Sequence, residues 1–383
     1  MGTASEFDEI RPYHNEELPQ VFEELIADEA FRKMATIAFP EMPFELLADT
    51  MRKCHTVYEF QRTFCYGLLH KIAATCSDGI SLDHSSLVDK NKAYTYISNH
   101  RDIILDSGFL SILLVDQGMD TVEIAIGDNL LIYPWIKKLV RINKSVIVQR
   151  SLSMRQMLES SMRLSRYIHY AINEKKQSLW IAQREGRAKD SNDRTQDSLL
   201  KMLTMAGEGN TIERLKELHI APLAISYEYD PCDYLKAKEF QLKRDVPDFK
   251  KSQADDLQNM GTGLKGYKGR VHFCTGRPLN DIIDQVDSNL SKQELFTAVS
   301  ALIDKEIHRN YRLYPGNYVA ADLLAGEERY ADQYTAEDKK RFINYIDNQL
   351  AKIDLPHKDE PFLRNKMLEM YANPMLNHLA SLK

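Results

Sequence analysis

The segment 97–110, ISNHRDIILDSGFL, sets one histidine between a short apolar run and an apolar helical run, with carboxylates following at Asp102 and Asp106. A titratable ring beside an acid suits three arrangements: a helix end capped by its acids, a kinase-type catalytic loop, or a general base with an orienting acid. Ser107 stands where a kinase loop reading H-R-D needs its asparagine, and no glycine-rich loop or VAIK-like strand lies upstream. Capping accounts for Asp102, because an acid in the first turn is favoured by the helix dipole. It does not account for Asp106. On a helix beginning near Arg101, Asp106 shares a face with Ile103, Leu110 and Leu113. A carboxylate there is costly to bury without a partner, and His100 is the nearest one in sequence. A structural His–Asp contact and a base held by its acid both fit this pattern.

The cations that follow suggest what such a base would act on. Arg150 closes the apolar run SVIVQR, and LWIAQREGRAKDSNDRT then delivers Glu185, Gly186, Arg187, Lys189 and Arg194 into one turn. Cationic side chains at strand ends, next to a glycine, suit a phosphate or carboxylate. A solvated charge run is the competing reading. HIAPLAISYE places Pro222 at the start of a further strand.

These residues must be positioned by a sheet. Residues 1–90 read as helical, with apolar residues at three- and four-residue spacing in FEELIADEAFRKMATIAF and in FELLADTMRKCHTVYEFQRTFCYGLLHKIAATC. From 91 to 280 short β-rich runs (AYTYISN, TVEIAIG, SVIVQR, SLWIAQ, IAPLAISYEY, RVHFCTG) alternate with helical stretches, which predicts an α/β domain with a mostly parallel sheet. QLKRDVPDFKKSQADDLQNMGTGLKGYKGR is polar and contains glycines, and is expected to be a long loop between two late strands. Residues 281–383 are helical again. The expected architecture is thus an α/β domain flanked by N- and C-terminal helical regions.

The order of the blocks resembles the glycerolipid acyltransferase family: a histidine followed by an aspartate (NHRDIILD), a strand ending in arginine (NKSVIVQRS), a Glu-Gly-Arg turn (AQREGRAKD) and a proline-containing strand (IAPLAIS). GRVHFCTGRPL and IHRNYRLYPGNYVAADLL are similar to its glycerol-3-phosphate acyltransferase branch. Here the His–Asp spacing is one residue longer than the family's and the EGR turn one shorter than EGTR, so Asp102 stands as the alternative acid. The resemblance implies transfer of a fatty acyl group from acyl-CoA or acyl-carrier protein to a hydroxyl of glycerol-3-phosphate or lysophosphatidate, in phospholipid biosynthesis. His100 would take the hydroxyl proton and Asp106 would hold the ring. Asn99, Arg101, Asp102 and Pro222 would line the substrate site. Arg150 and Arg187 would converge on the acceptor's phosphate, with Lys189 or Arg194 assisting; Glu185 would hold the acceptor's free hydroxyl or brace an arginine, and Gly186 would belong to the same substrate site. Backbone amides after His100 would stabilise the oxyanion. Two rivals are acylation of another acceptor, such as an amino-acid lipid, and a silent homologue that only binds lipid.

Composition bounds the remainder. Hydrophobic residues at 43%, charged residues at 28% and a net charge of −6 describe an ordinary soluble chain and argue against a dedicated nucleic-acid binder. The five cysteines form no CxxC pair, so no metal site is expected, no cofactor is implied, and a reduced cytoplasmic compartment is the simplest reading. The acidic, polar N-terminus does not read as a signal peptide, and the apolar runs are too short to span a bilayer. Membrane contact is expected to be peripheral. YPWIKKLVRINK, with Trp135, Ile136, Leu139 and Val140 beside Lys137, Lys138 and Arg141, is the candidate surface helix.

Overall fold

Apolar runs that are buried on both sides belong in the middle of a sheet, and the chain places two such runs there. The computed structural model describes residues 4–87, 89–150, 152–287 and 289–383. Seven strands, β1 (Ile80–Asp83), β2 (Thr95–Ser98), β3 (Glu123–Gly127), β4 (Ser145–Val148), β5 (Leu179–Ala182), β6 (Ile220–Tyr227) and β7 (Val271–Thr275), pair in the order β1-β7-β6-β2-β5-β3-β4. All neighbours are parallel except β6 and β7. The central strands β2 and β6 are buried along their whole length, as parallel strands covered on both faces should be. The C-terminal ends of β2 to β6 therefore share one edge, with β2 between β5 and β6.

Alternation along the strands divides the core in two. Ile97, Leu179, Ile181 and Ile220 pack with Leu164, Ile168, Leu200, Val299 and Ile303, from the helices Met154–Asn173, Asp197–Leu203 and Lys292–Arg309. On the other face Tyr96, Trp180, Leu223, Ile225 and Tyr227 pack with Leu105, Phe109 and Leu110 of the helix Leu105–Asp116. N-terminal helices have their own core around Phe22, Leu25 and Met51. The C-terminal helices Pro315–Ala325, Ala336–Ala351 and Glu360–Ser381 have another, around Phe342, Met367 and Tyr371.

Three local expectations are corrected. Strand β1 lies within the stretch read as wholly helical; only four residues long, it alternates half-buried and exposed positions at the sheet edge. The segment read as a long loop folds into the end of the helix Asp233–Asp245 and the helix Gln253–Lys265, the latter opened by a reciprocal cap between Ser252 and Asp255. Pro222 is the third residue of β6, not its start. Its missing N–H is tolerated because the β6–β7 ladder begins only at Leu223, opposite Thr275. The candidate surface helix Pro134–Ile142 packs one side inward: Trp135, Leu139 and Ile142 join the N-terminal core, Lys138 pairs with Glu24, and Arg141 donates to the carbonyls of Arg11 and Asp8, while Lys137 stays exposed. No helix among the described residues is long and apolar enough to cross a membrane.

Candidate active site

Strand β2 is extended past Ser98 by a side chain. Asn99 is fully buried; its Nδ2 donates to Ile225 O and its Oδ1 accepts from Ile225 N, both at 2.8 Å, continuing the ladder to β6. This use of both amide atoms corrects the expectation that Asn99 binds substrate. Trp180 of β5 donates to Ser98 Oγ at 2.9 Å, and its ring meets His100 edge-on with centroids 5.4 Å apart. The histidine is thus fixed at the sheet edge between β5 and β6.

The turn after His100 is organised by two carboxylates. The helix begins at Leu105 rather than near Arg101, which puts Asp106 in its first turn, wholly buried. Asp106 Oδ2 accepts from His100 Nδ1 at 2.7 Å, from Arg101 N at 2.6 Å and from Asp102 N at 3.0 Å. Asp102 Oδ1 accepts from Ile104 N at 2.9 Å and Leu105 N at 2.8 Å, and so caps the helix. Burial, then the charge of Asp106, pushes the Asp102 carboxyl above its ordinary value. The acid on His100 is therefore Asp106, with Asp102 supporting the turn. Four of the amides expected to serve as an oxyanion hole are occupied by these two carboxylates, which corrects that expectation. With Nδ1 donating to Asp106, His100 Nε2 is the basic nitrogen; it makes no hydrogen bond among the described residues, and the side chain is 14% exposed.

The predicted cations scatter. Arg101 is buried in a two-point ion pair with Asp193, whose Oδ2 also accepts from Tyr311. Burial alone would lower its pKa; Asp193 more than offsets that. Lys189 pairs with Glu239. Arg194 reaches Asn377 at 3.1 Å and His308 at 3.4 Å, tying the loop to the C-terminal helices. Arg101 and Lys189 are structural struts, since each charge is already paired inside the fold; exposed Arg194 meets only neutral partners. Arg187 also turns inward, donating to Asn259 Oδ1 at 2.9 Å and to Arg101 O at 3.5 Å. Burial would lower its pKa, but Cys232, Asp230 and Asp102 together keep it raised. Gly186, at φ +65°, supplies the left-handed residue that the turn before Arg187 requires. Arg150 lies elsewhere: it follows β4, the outer strand, half-buried, with Nη1 on Glu185 Oε1 at 3.0 Å. Two strand spacings separate β4 from β5, and the two arginines share no partner: Arg150 meets Glu185, Arg187 meets Asn259 and Arg101 O.

Sequence reasoning passed over several residues here. Arg184 follows β5, beside β2, and its only hydrogen bond is to Glu185 O at 3.4 Å; it has no acidic partner among the described residues. Its signal was present, in the same EGR block. Asp193 and Asn259, which hold Arg101 and Arg187, are distant in sequence and gave none. All five cysteines are unpaired, and burial pushes the Cys65 and Cys232 thiols up to about 12, so neither is a ready thiolate nucleophile.

Residues 80–226 match the family model described as Acyltransferase. No curated protein matches the chain. Among solved structures, the chain is similar to the 1-acyl-sn-glycerophosphate (LPA) acyltransferase PlsC from Thermotoga maritima, at 13% identity over 76% of this chain and 92% of that chain, with a TM-score of 0.35.

Proposed function

We propose that this chain, whose residues 80–226 match the acyltransferase family model, moves a fatty acyl group from acyl-CoA or acyl-carrier protein to a hydroxyl of glycerol-3-phosphate or lysophosphatidate. The observation that carries this reading is the His100–Asp106 pair at 2.7 Å, with Nε2 unengaged at the sheet edge. In this reading Nε2 removes the acceptor's hydroxyl proton as the alcohol oxygen attacks the thioester carbonyl. The tetrahedral intermediate collapses, the C–S bond breaks, and the leaving thiolate takes the proton back from the imidazolium. Asp106 keeps Nδ1 protonated and stabilises the cation, as in a serine triad whose nucleophile is the substrate itself. No covalent enzyme intermediate is required.

The phosphate preference of the acceptor rests on Arg184, which follows β5 beside β2 and has no acidic partner among the described residues. Peripheral membrane contact is supported by Met154, Met157 and Leu158, exposed at the start of the helix that follows β4, on the edge that holds His100. The test is thiol release from acyl-CoA with a panel of acceptors. Release stimulated by glycerol-3-phosphate or lysophosphatidate, and not by their unphosphorylated counterparts, is the expected result. Stimulation by an amino-acid lipid alone would replace the acceptor, and absence of release with any acceptor would leave a lipid-binding protein.

A further inference from the structure

The acid of the pair has a second oxygen without a partner. Asp106 Oδ1 is buried and makes no hydrogen bond, and the hydroxyl of Tyr227 is in the same state. Tyr227 ends β6, which adjoins β2, and its ring lies in the same apolar cluster as Leu105, Phe109 and Leu110 of the helix that carries Asp106. One orphan is a donor and the other an acceptor. Burial, then the charges of Asp106 and Asp102, holds the Tyr227 hydroxyl well above its ordinary pKa. A buried hydroxyl with no partner is destabilising, and an idle one would be better replaced by phenylalanine.

We propose that Tyr227 is a positioning residue for the transfer: its hydroxyl donates to Asp106 Oδ1 when the acceptor engages His100, and so fixes the rotation of the carboxylate that keeps Oδ2 on His100 Nδ1. This rests on His100 acting as the base. All three donors on Asp106 bind Oδ2, so the other oxygen has nothing to hold it. Hydrogen bonds of this kind are often long in unliganded enzymes and tighten in the substrate complex. The other charged groups that act on the pair and its neighbours are Asp102, Arg187, Lys268 and Asp230.

Tyr227→Phe tests it, because the substitution removes a group that has no partner in the resting structure and leaves the packing intact. The expected variant melts at or above the wild-type temperature and keeps both KM values, while kcat falls roughly 10- to 100-fold, the scale of one hydrogen bond to a charged group. Its acidic kcat limb moves to higher pH, since a carboxylate relieved of a donor holds the imidazolium more firmly. Added to Asp106→Asn, Tyr227→Phe causes no further loss. Wild-type kcat, a limb that stays put or moves down, or a fully additive loss would overturn the role of Tyr227. An inactive Asp106→Asn beside a wild-type-like Tyr227→Phe overturns this proposal alone. A fully active Asp106→Asn overturns the base assignment and takes this proposal with it.

Discussion

Asp106 and Asp102 are both buried acids in one turn, yet their surroundings give them different work. Asp106 holds an imidazole through an oxygen that also collects two backbone amides; Asp102 meets only amides. Asp106→Asn removes the charge opposite the imidazolium and offers an amide to a position where three donors converge. Asp102→Asn keeps a carbonyl oxygen able to cap the helix. The expected ranking in kcat is a much larger loss for Asp106→Asn, read from initial rates of thiol release by both folded variants; the reverse ranking would mean that Asp102 serves the histidine. The His100–Asp106 pair was legible in the sequence because a carboxylate beside an apolar stripe demands a nearby partner. The cations were not, because a charge run does not say which side chain the fold will bury. Arg101 finds Asp193, 92 positions away, and Arg194 finds Asn377, 183 positions away.

The helix Gln253–Lys265 closes over that turn, and its glycines show how tightly. A Cβ at Gly263 would overlap Asp102 Oδ2, whereas one at Gly261 would meet nothing within 4 Å. Alanine is favoured over glycine inside a helix by about 1 kcal/mol, so Gly261→Ala should stabilise the protein by up to that amount. Gly263→Ala should instead destabilise it by roughly 1–3 kcal/mol, as overpacking does, and lower kcat by disturbing the Asp102 cap. Urea midpoints of the two variants check this; equal stabilisation by both would show that the helix does not bear on Asp102. This element was misread as a loop although its signals were present: the Ser252–Asp255 cap, then Leu257, Met260 and Leu264 at helical spacing. Its two glycines read as loop residues, yet Gly263 is small because a carboxylate lies against it. The sheet was easier to read. Buried parallel strands give near-continuous apolar runs, whereas β1, exposed at alternate positions on the edge, gives only a short one.

Across the whole molecule, the strand ends and the C-terminal helices are joined by buried polar groups. Asp233 accepts from Tyr371 at 2.7 Å and Tyr345 at 2.8 Å, and burial, then the neighbouring Asp230, pushes its carboxyl up to about 7. An unfolded aspartate titrates near ~3.9. Between these values the native state holds a proton that the unfolded chain has lost, so this contribution is complete below about 4 and is lost as pH rises towards about 7. Asp233→Asn cannot ionise, so its stability relative to wild type should rise through that window and level off above it. Denaturant midpoints across the range check this, and a difference independent of pH would show that Asp233 is ionised throughout. The most direct test concerns the base at the sheet edge. His100→Ala truncates a partly exposed ring and should leave the melting temperature close to wild type. Thiol release from acyl-CoA in the presence of glycerol-3-phosphate or lysophosphatidate should fall by about 10²–10⁴, the usual loss on removing a general base. A folded His100→Ala variant with near wild-type turnover would contradict the assignment of His100 as that base.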